Sequence, residues 1–140
     1  MSKALKKTIH ETNNSENEIF QKFQETNKVI KPWGSYVILD KTPGHVVKKI
    51  SINPNQKISL QYHNHRREEW FIVSGSGFAE LGKEKTVINL PTNSSLTILE
   101  KQLHRITANE EGVQFIEIQH GTVVDENDIV RIEDLYGRVI

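Results

Sequence analysis

Between residues 35 and 119 the chain is cut into short segments by turn residues at nearly even intervals, and this restricts the fold more than anything else in its 140 residues. Segments 35–39, 45–52, 58–62, 70–73, 78–81, 86–90, 96–99, 104–107 and 113–119 read as strands, being short, apolar and mostly alternating. Between them stand Pro43-Gly44, Asn53-Pro54-Asn55, Gly75-Ser76-Gly77, Gly82, Pro91-Thr92-Asn93 and Glu111-Gly112. These residues supply the backbone angles and local hydrogen bonds of tight turns. No long helical period separates the strands, so an antiparallel sandwich, jelly roll or barrel is expected. Alternation assigns the faces: Val46, Lys48, Ile50 and Ile52 share one side of their strand, while Phe115 and Glu117 oppose Ile116 and Ile118.

The ends differ from this middle. Residues 1–28 are mostly Lys, Glu, Asn, Gln and Thr and cannot build a core of their own. Ile19, Phe20 and Phe23 are spaced to share one face of a short helix starting near Ser15 or Asn17. The expectation is a flexible arm leading into that helix, whose apolar face is either a docking patch on a solvated tail or a dimer contact. Residues 29–140 form a single domain, as a chain of this length supports. The tail over residues 125–140 suits a short helix or a closing strand.

Lys and Arg together number 18, as do Asp and Glu, so no net field recruits nucleic acid or an anionic membrane, and neither partner is expected. With no cysteine, disulfides, thiolate nucleophiles and zinc fingers are excluded, and His and carboxylates are left as metal ligands. Residues 1–14 lack the apolar segment of a secretory signal, and no run reaches the roughly 20 apolar residues of a membrane span. A soluble, cytoplasmic protein is expected.

The chemistry concentrates in Leu60-Gln-Tyr-His63-Asn-His65-Arg-Arg-Glu68-Glu69-Trp70, with His104 downstream. Along an extended strand His63 and His65 point the same way and could offer two imidazoles to one cation. A nearby carboxylate and a histidine from another strand would complete a nitrogen and oxygen shell suited to Zn, Mn, Fe, Co or Ni as the divalent ion. Paired imidazoles are costly to bury without such a partner. Gln61 shares the parity of His63 and lines the same cavity in this reading. Lys49, Arg66, Arg105, Arg131 and Arg138 are candidates for a sugar phosphate, because guanidinium forks and ammonium groups match phosphate oxygens. His10, His45 and His120 are read as surface or hydrogen-bonded residues, and Trp33 and Trp70 as packing.

This order, His-x-His, Glu, Gly and a later His, resembles the cupin superfamily. Within it the chain is most similar to the C-terminal domain of type II phosphomannose isomerases, which are fused to a mannose-1-phosphate guanylyltransferase in nucleotide-sugar synthesis. The match runs from about residue 29 to residue 138. It is carried by Lys31-Pro-Trp-Gly-Ser-Tyr36, Ser59-Leu-Gln-Tyr-His-Asn-His-Arg66, Glu68, Trp70, Val73-Ser-Gly75, His104-Arg105, Glu117-Ile-Gln119, Gly121, Asp128-Ile-Val-Arg131, Glu133-Asp134 and Tyr136-Gly-Arg138. The resemblance implies an all-β cupin double-stranded β-helix, or jelly-roll barrel, here with a polar, partly helical N-terminal extension. It also implies a metal held by His63, His65, Glu68 and His104, and a homodimer.

The chain departs from the pattern at three points. Glu69 stands where the family has histidine, so two carboxylates compete: alternation favours Glu69 as ligand, whereas the spacing to Gly75 favours Glu68 with a bulge, and Glu68 is preferred. Leu99-Glu-Lys101 replaces a Pro-x-Gly turn, and Leu103 replaces a proline. No Gly-rich nucleotide loop occurs, so these residues alone are not expected to make GDP-mannose. The expected reaction is metal-dependent interconversion of mannose 6-phosphate and fructose 6-phosphate in nucleotide-sugar and polysaccharide synthesis, with Glu69 or Glu117 as base. The alternatives are a non-catalytic cupin that binds a sugar phosphate or nucleotide sugar beside a separate guanylyltransferase, and a cupin dioxygenase.

Overall fold

The computed structural model describes residues 3–139, with side chains from Ser15 onward. It opens with α1 (Lys3–Asn27), longer than the short helix expected, and closed at its end by the Asn27 side-chain Nδ2 donating to the Phe23 carbonyl at 2.9 Å. The flexible arm expected ahead of Ser15 falls on residues whose side chains lie outside those described. Among the described residues no helix is long and apolar enough to cross a membrane.

Among the described residues nine strands follow, all paired antiparallel: β1 (Val29–Lys31), β2 (Gly34–Thr42), β3 (His45–Ile52), β4 (Leu60–Tyr62), β5 (Arg66–Leu81), β6 (Thr86–Leu90), β7 (Ser95–Ile98), β8 (His104–Gly121) and β9 (Val130–Glu133). The hairpin turn at Pro43-Gly44 joins β2 to β3, β3 lies on β8, and β8 runs beside β5 along nearly its whole length. β6 and β7 pair with β5, and β9 closes onto β4.

Four expected strands merge into two. Segments 70–73 and 78–81 lie within β5, and 104–107 and 113–119 within β8. The glycines between them bend the strands instead of ending them. Gly75 has φ +69° and Gly112 φ +79°, both in the left-handed region, and the β5–β8 register slips between Ile72 and Ser74 and again between Gly75 and Gly77. A Cβ on Gly75 would lie 2.1 Å from the Gly112 carbonyl oxygen. The two long strands therefore fold over together, as one curled ribbon.

The inner face changes character along the strands. Register partners Ile50, Phe115 and Ile72 of β3, β8 and β5 form one apolar row. They pack with Trp70, Ile52, Ala79, Leu90, Ile98, Ile106 and Val113, and the Trp70 and Phe115 rings lie 5.0 Å apart. Two residues further along, the same strands present Lys48, Glu117 and Trp70, and then Val46, Gln119 and Glu68. Lys48, Glu68, Glu117 and Gln119 are all buried. Polar side chains are buried so thoroughly only when partnered, so this polar end of the barrel marks the site.

Candidate metal centre

Three buried side chains converge there. Glu68 projects inward from the start of β5, His104 opens β8 opposite Gln61 of β4, and His63 follows β4 in the unpaired segment before β5. One ligand atom from each lies within 4.8 Å of the others. His63 Nε2 is 3.3 Å from one Glu68 oxygen and His104 Nε2 is 3.9 Å from the other.

The backbone decides the tautomers. His63 Nδ1 lies 2.6 Å from the Asp128 carbonyl and His104 Nδ1 2.8 Å from the Gln102 carbonyl. A carbonyl only accepts, so each Nδ1 carries the hydrogen and each Nε2 presents a lone pair to the cluster. Burial lowers the affinity of both rings for a second proton, taking His63 down to about 4 against the opposing pull of Glu68. Burial also works against an ionised Glu68, but the Arg66 guanidinium outweighs it through its charge and its hydrogen bonds and holds the carboxyl near 2. Arg66 donates to one Glu68 oxygen from Nε at 3.0 Å and from a terminal nitrogen at 2.8 Å, and the Trp70 indole donates to the other at 3.0 Å.

Two neutral imidazoles and an ionised carboxylate fit a divalent cation. His104 Nε2 is a buried nitrogen without a hydrogen-bond partner among the described residues, as a ligand atom awaiting a cation would be. His63 Nε2 receives only long contacts, from Gln61 and Arg66 at 3.3 Å each. An imidazole whose far nitrogen is fixed on a carbonyl is the usual form of a metal-bound histidine.

His65 does not join the cluster. It is exposed because the chain leaves its strand after Tyr62, so the alternation assumed across residues 63–65 does not apply. The Asn64 and His65 amides instead donate to the Asp128 carboxylate, each at 2.9 Å. Glu69 also lies outside: it stands on the outer face of β5, bound by Arg67 at 3.0 Å and by the Thr97 hydroxyl at 2.5 Å. Once β5 begins at Arg66, alternation turns Arg66, Glu68 and Trp70 inward and Arg67 and Glu69 outward.

Lys49 likewise faces out, its ammonium 3.3 Å from Gln24 of α1, and its neighbour Lys48 takes the inner position. Arg105 is buried but structural, donating to the carbonyls of Ile58 at 2.9 Å and Glu133 at 3.1 Å. Gln61, Arg66, Arg131 and Arg138 do line the cavity, together with Lys31, Trp33, Tyr36, Lys48, Glu117 and Glu126. Lys48 was legible from the β3 alternation. Nothing local marked Glu126, which reaches the cavity from the segment after β8 and pairs with Lys48.

Glu117 differs sharply from Glu68. Burial and then the negative charge of Glu68 raise its carboxyl to about 8, despite the opposing charges of Arg66 and Lys48. Its partner is the Gln119 amide, at 2.5 Å. Two carboxyls in one cavity are thus held at opposite ends of the carboxylate range, the pattern that separates a fixed anion from a proton carrier. Arg138 is bidentate on Asp134, at 2.7 and 3.1 Å, while the Nε of Arg131 is buried without a partner.

Residues 17–134 match the family described as mannose-6-phosphate isomerase C-terminal. The chain belongs to that family. The xanthan biosynthesis protein XanB of Xanthomonas campestris is 40% identical over 112 residues, covering 79% of this chain and 24% of that protein. The alginate biosynthesis protein AlgA of Pseudomonas putida is 36% identical over 137 residues, covering 97% of this chain and 27% of that protein. This member of the family thus spans about a quarter of the length of these relatives. Among solved structures, oxalate decarboxylase from Bacillus subtilis superposes with a TM-score of 0.69 at 16% identity, over 79% of this chain and 31% of that one. That likeness bears on the fold, which is the expected cupin barrel. Oxalate decarboxylase is itself described as carrying Mn(II) centres.

Proposed function

We propose that this mannose-6-phosphate isomerase C-terminal family member is a metal-dependent isomerase interconverting mannose 6-phosphate and fructose 6-phosphate, in nucleotide-sugar and polysaccharide synthesis. One observation carries the reading. The cavity lined by His63 and Glu68 is also lined by a buried carboxyl with a raised proton affinity, Glu117, and by the cations Lys31, Arg131 and Arg138.

Aldose to ketose conversion moves a proton between C1 and C2 of the open-chain sugar, through an enediolate. His63, Glu68 and His104 would hold the cation, Mn being favoured among Zn, Mn, Fe, Co and Ni by the oxalate decarboxylase centres. A cation there supplies positive charge opposite the substrate oxygens as they become anionic. Glu117 carries the proton: a carboxyl poised near neutral pH both accepts and returns it with little driving force against either step. Lys48, paired with Glu126, lies in register opposite Glu117, and its ammonium would face the reacting carbons. Arg131 and Arg138, with Lys31, take the phosphate and fix the sugar's orientation. The Trp33 and Trp70 walls exclude water.

Incubation of Mn²⁺-loaded protein with fructose 6-phosphate is expected to yield mannose 6-phosphate at a rate linear in protein. No product above a blank lacking protein would refute the reading. Stabilisation by the sugar phosphate without turnover would instead select the non-catalytic binding module.

The partner in this proposal is a second copy of the chain. Ile19, Phe20 and Phe23 of α1 are 66%, 63% and 42% exposed, and Phe71, Val73 and Ile118 stand exposed on the outer sheet. Apolar surface of that extent is normally covered. Sedimentation velocity at micromolar protein is expected to show twice the chain mass of 16.1 kDa, and a species at the single-chain mass would overturn the assignment.

A further inference from the structure

We infer that Asp128 is a positioning residue that fixes His63 as a metal ligand. The inference rests on the reading that His63, Glu68 and His104 hold a divalent cation. Residues 63–65 have left β4 and not yet entered β5, so no sheet partner orients them. Asp128 takes over that role through three contacts. One carboxylate oxygen accepts the Asn64 amide and the other the His65 amide, each at 2.9 Å, while its own carbonyl lies 2.6 Å from His63 Nδ1. The remaining main-chain bond of the segment runs from Lys101 to the His63 carbonyl, at 2.7 Å. It ties the segment down but leaves the ring free to turn.

Asp128 is itself held rigidly. Its amide donates to the Asp125 carbonyl at 3.0 Å, the Asn127 amide to the Asp125 side chain at 2.8 Å, and the Ile129 amide to the Asn127 carbonyl at 2.9 Å. The carboxylate therefore does two things at once. It turns His65 outward, and it holds its own carbonyl where only the Nδ1–H form of His63 fits, leaving Nε2 as the ligating atom. Without the carboxylate the carbonyl stays in the chain but loses its fixed distance to the ring.

Two measurements test this on the full chain, with Asp128→Ala and Asp128→Asn beside the wild type. In metal-free protein, long-range ¹H–¹⁵N correlation of the His63 ring is expected to show the proton on Nδ1 in the wild type. Mixed tautomers are expected in Asp128→Ala, with Asp128→Asn between them, because its amide oxygen accepts one N–H and its NH₂ opposes the other. In Co²⁺ titrations followed by visible absorption, the dissociation constant is expected to rise about 10- to 100-fold in Asp128→Ala. A folded Asp128→Ala that keeps the Nδ1 proton and binds Co²⁺ within twofold of wild type overturns the inference. Should that variant not fold, the same two criteria apply to Asp128→Asn. A wild type that binds neither Co²⁺ nor Mn²⁺ refutes the metal centre instead, and the ring-nitrogen spectra alone then decide the role of Asp128.

Discussion

Glu117→Gln is expected to abolish isomerisation while making the protein harder to melt at alkaline pH. Unfolded, this carboxyl ionises near 4.5; folded, it keeps its proton up to about 8. Between those values the native state binds the extra proton, so this group costs progressively more stability as pH rises from 4.5 towards 8. Glutamine cannot ionise, so the variant escapes that cost. Its melting temperature should match wild type below pH 4.5 and exceed it by a margin that widens steadily up to pH 8. Loss of a positioned acid–base group should lower kcat by about 10²- to 10⁴-fold, with KM nearly unchanged because the phosphate contacts remain. Calorimetry across pH checks the first effect and initial rates the second. A variant that melts below wild type at pH 8 would show that Glu117 is held ionised by Lys48 and Arg66.

The same isosteric change at the neighbouring carboxyl should act in the opposite direction. Glu68→Gln leaves the buried Arg66 guanidinium without its anion, and breaking one side of a buried pair costs about 3–5 kcal/mol. The melting temperature at pH 7 should fall by about 10 °C or more. The deficit should narrow below pH 4.5 and close near pH 2, because the stability Glu68 contributes is lost as pH falls through its folded value of about 2. Mn²⁺ affinity should fall at least 100-fold in calorimetric titration, as one of three ligands has lost its charge. Equal stability of Glu68→Gln and wild type at pH 7 would mean that Arg66 finds another partner or reaches water.

The contrast between these carboxyls depends on which face of β5 each residue occupies, and that was only partly legible in the sequence. Alternation put Val46, Lys48, Ile50 and Ile52 on one face of β3, and Phe115 and Glu117 on one face of β8, and in the structure both faces are the inner ones. The tail supplied one of the two elements expected of it, the closing strand β9. Alternation failed across residues 63–69 because it presumes an unbroken strand. The break after Tyr62 is stabilised by Asp128, more than sixty residues away, and no local pattern encodes so distant a bond. The spacing between Glu68 and Gly75 was the better guide, since it counts within a single strand. Lys49 was singled out by its charge, although its position in β3 turns it outward. Gly75 and Gly112 were taken for ends because bends and turns both require glycine's positive φ, and only the tertiary pairing distinguishes the two.

The paired bends at Gly75 and Gly112 carry a kinetic consequence. β5 and β8 meet only after a long intervening segment has been drawn into a closed loop, so an entropic cost precedes any reward from their contacts. Refolding is therefore expected on the millisecond-to-second scale of non-local β topologies. Because Glu68 and His104 sit on the two arms of that ribbon, neither can meet the other until the arms have zipped. Metal capture would then be a late event, reporting completed folding and doing nothing to start it.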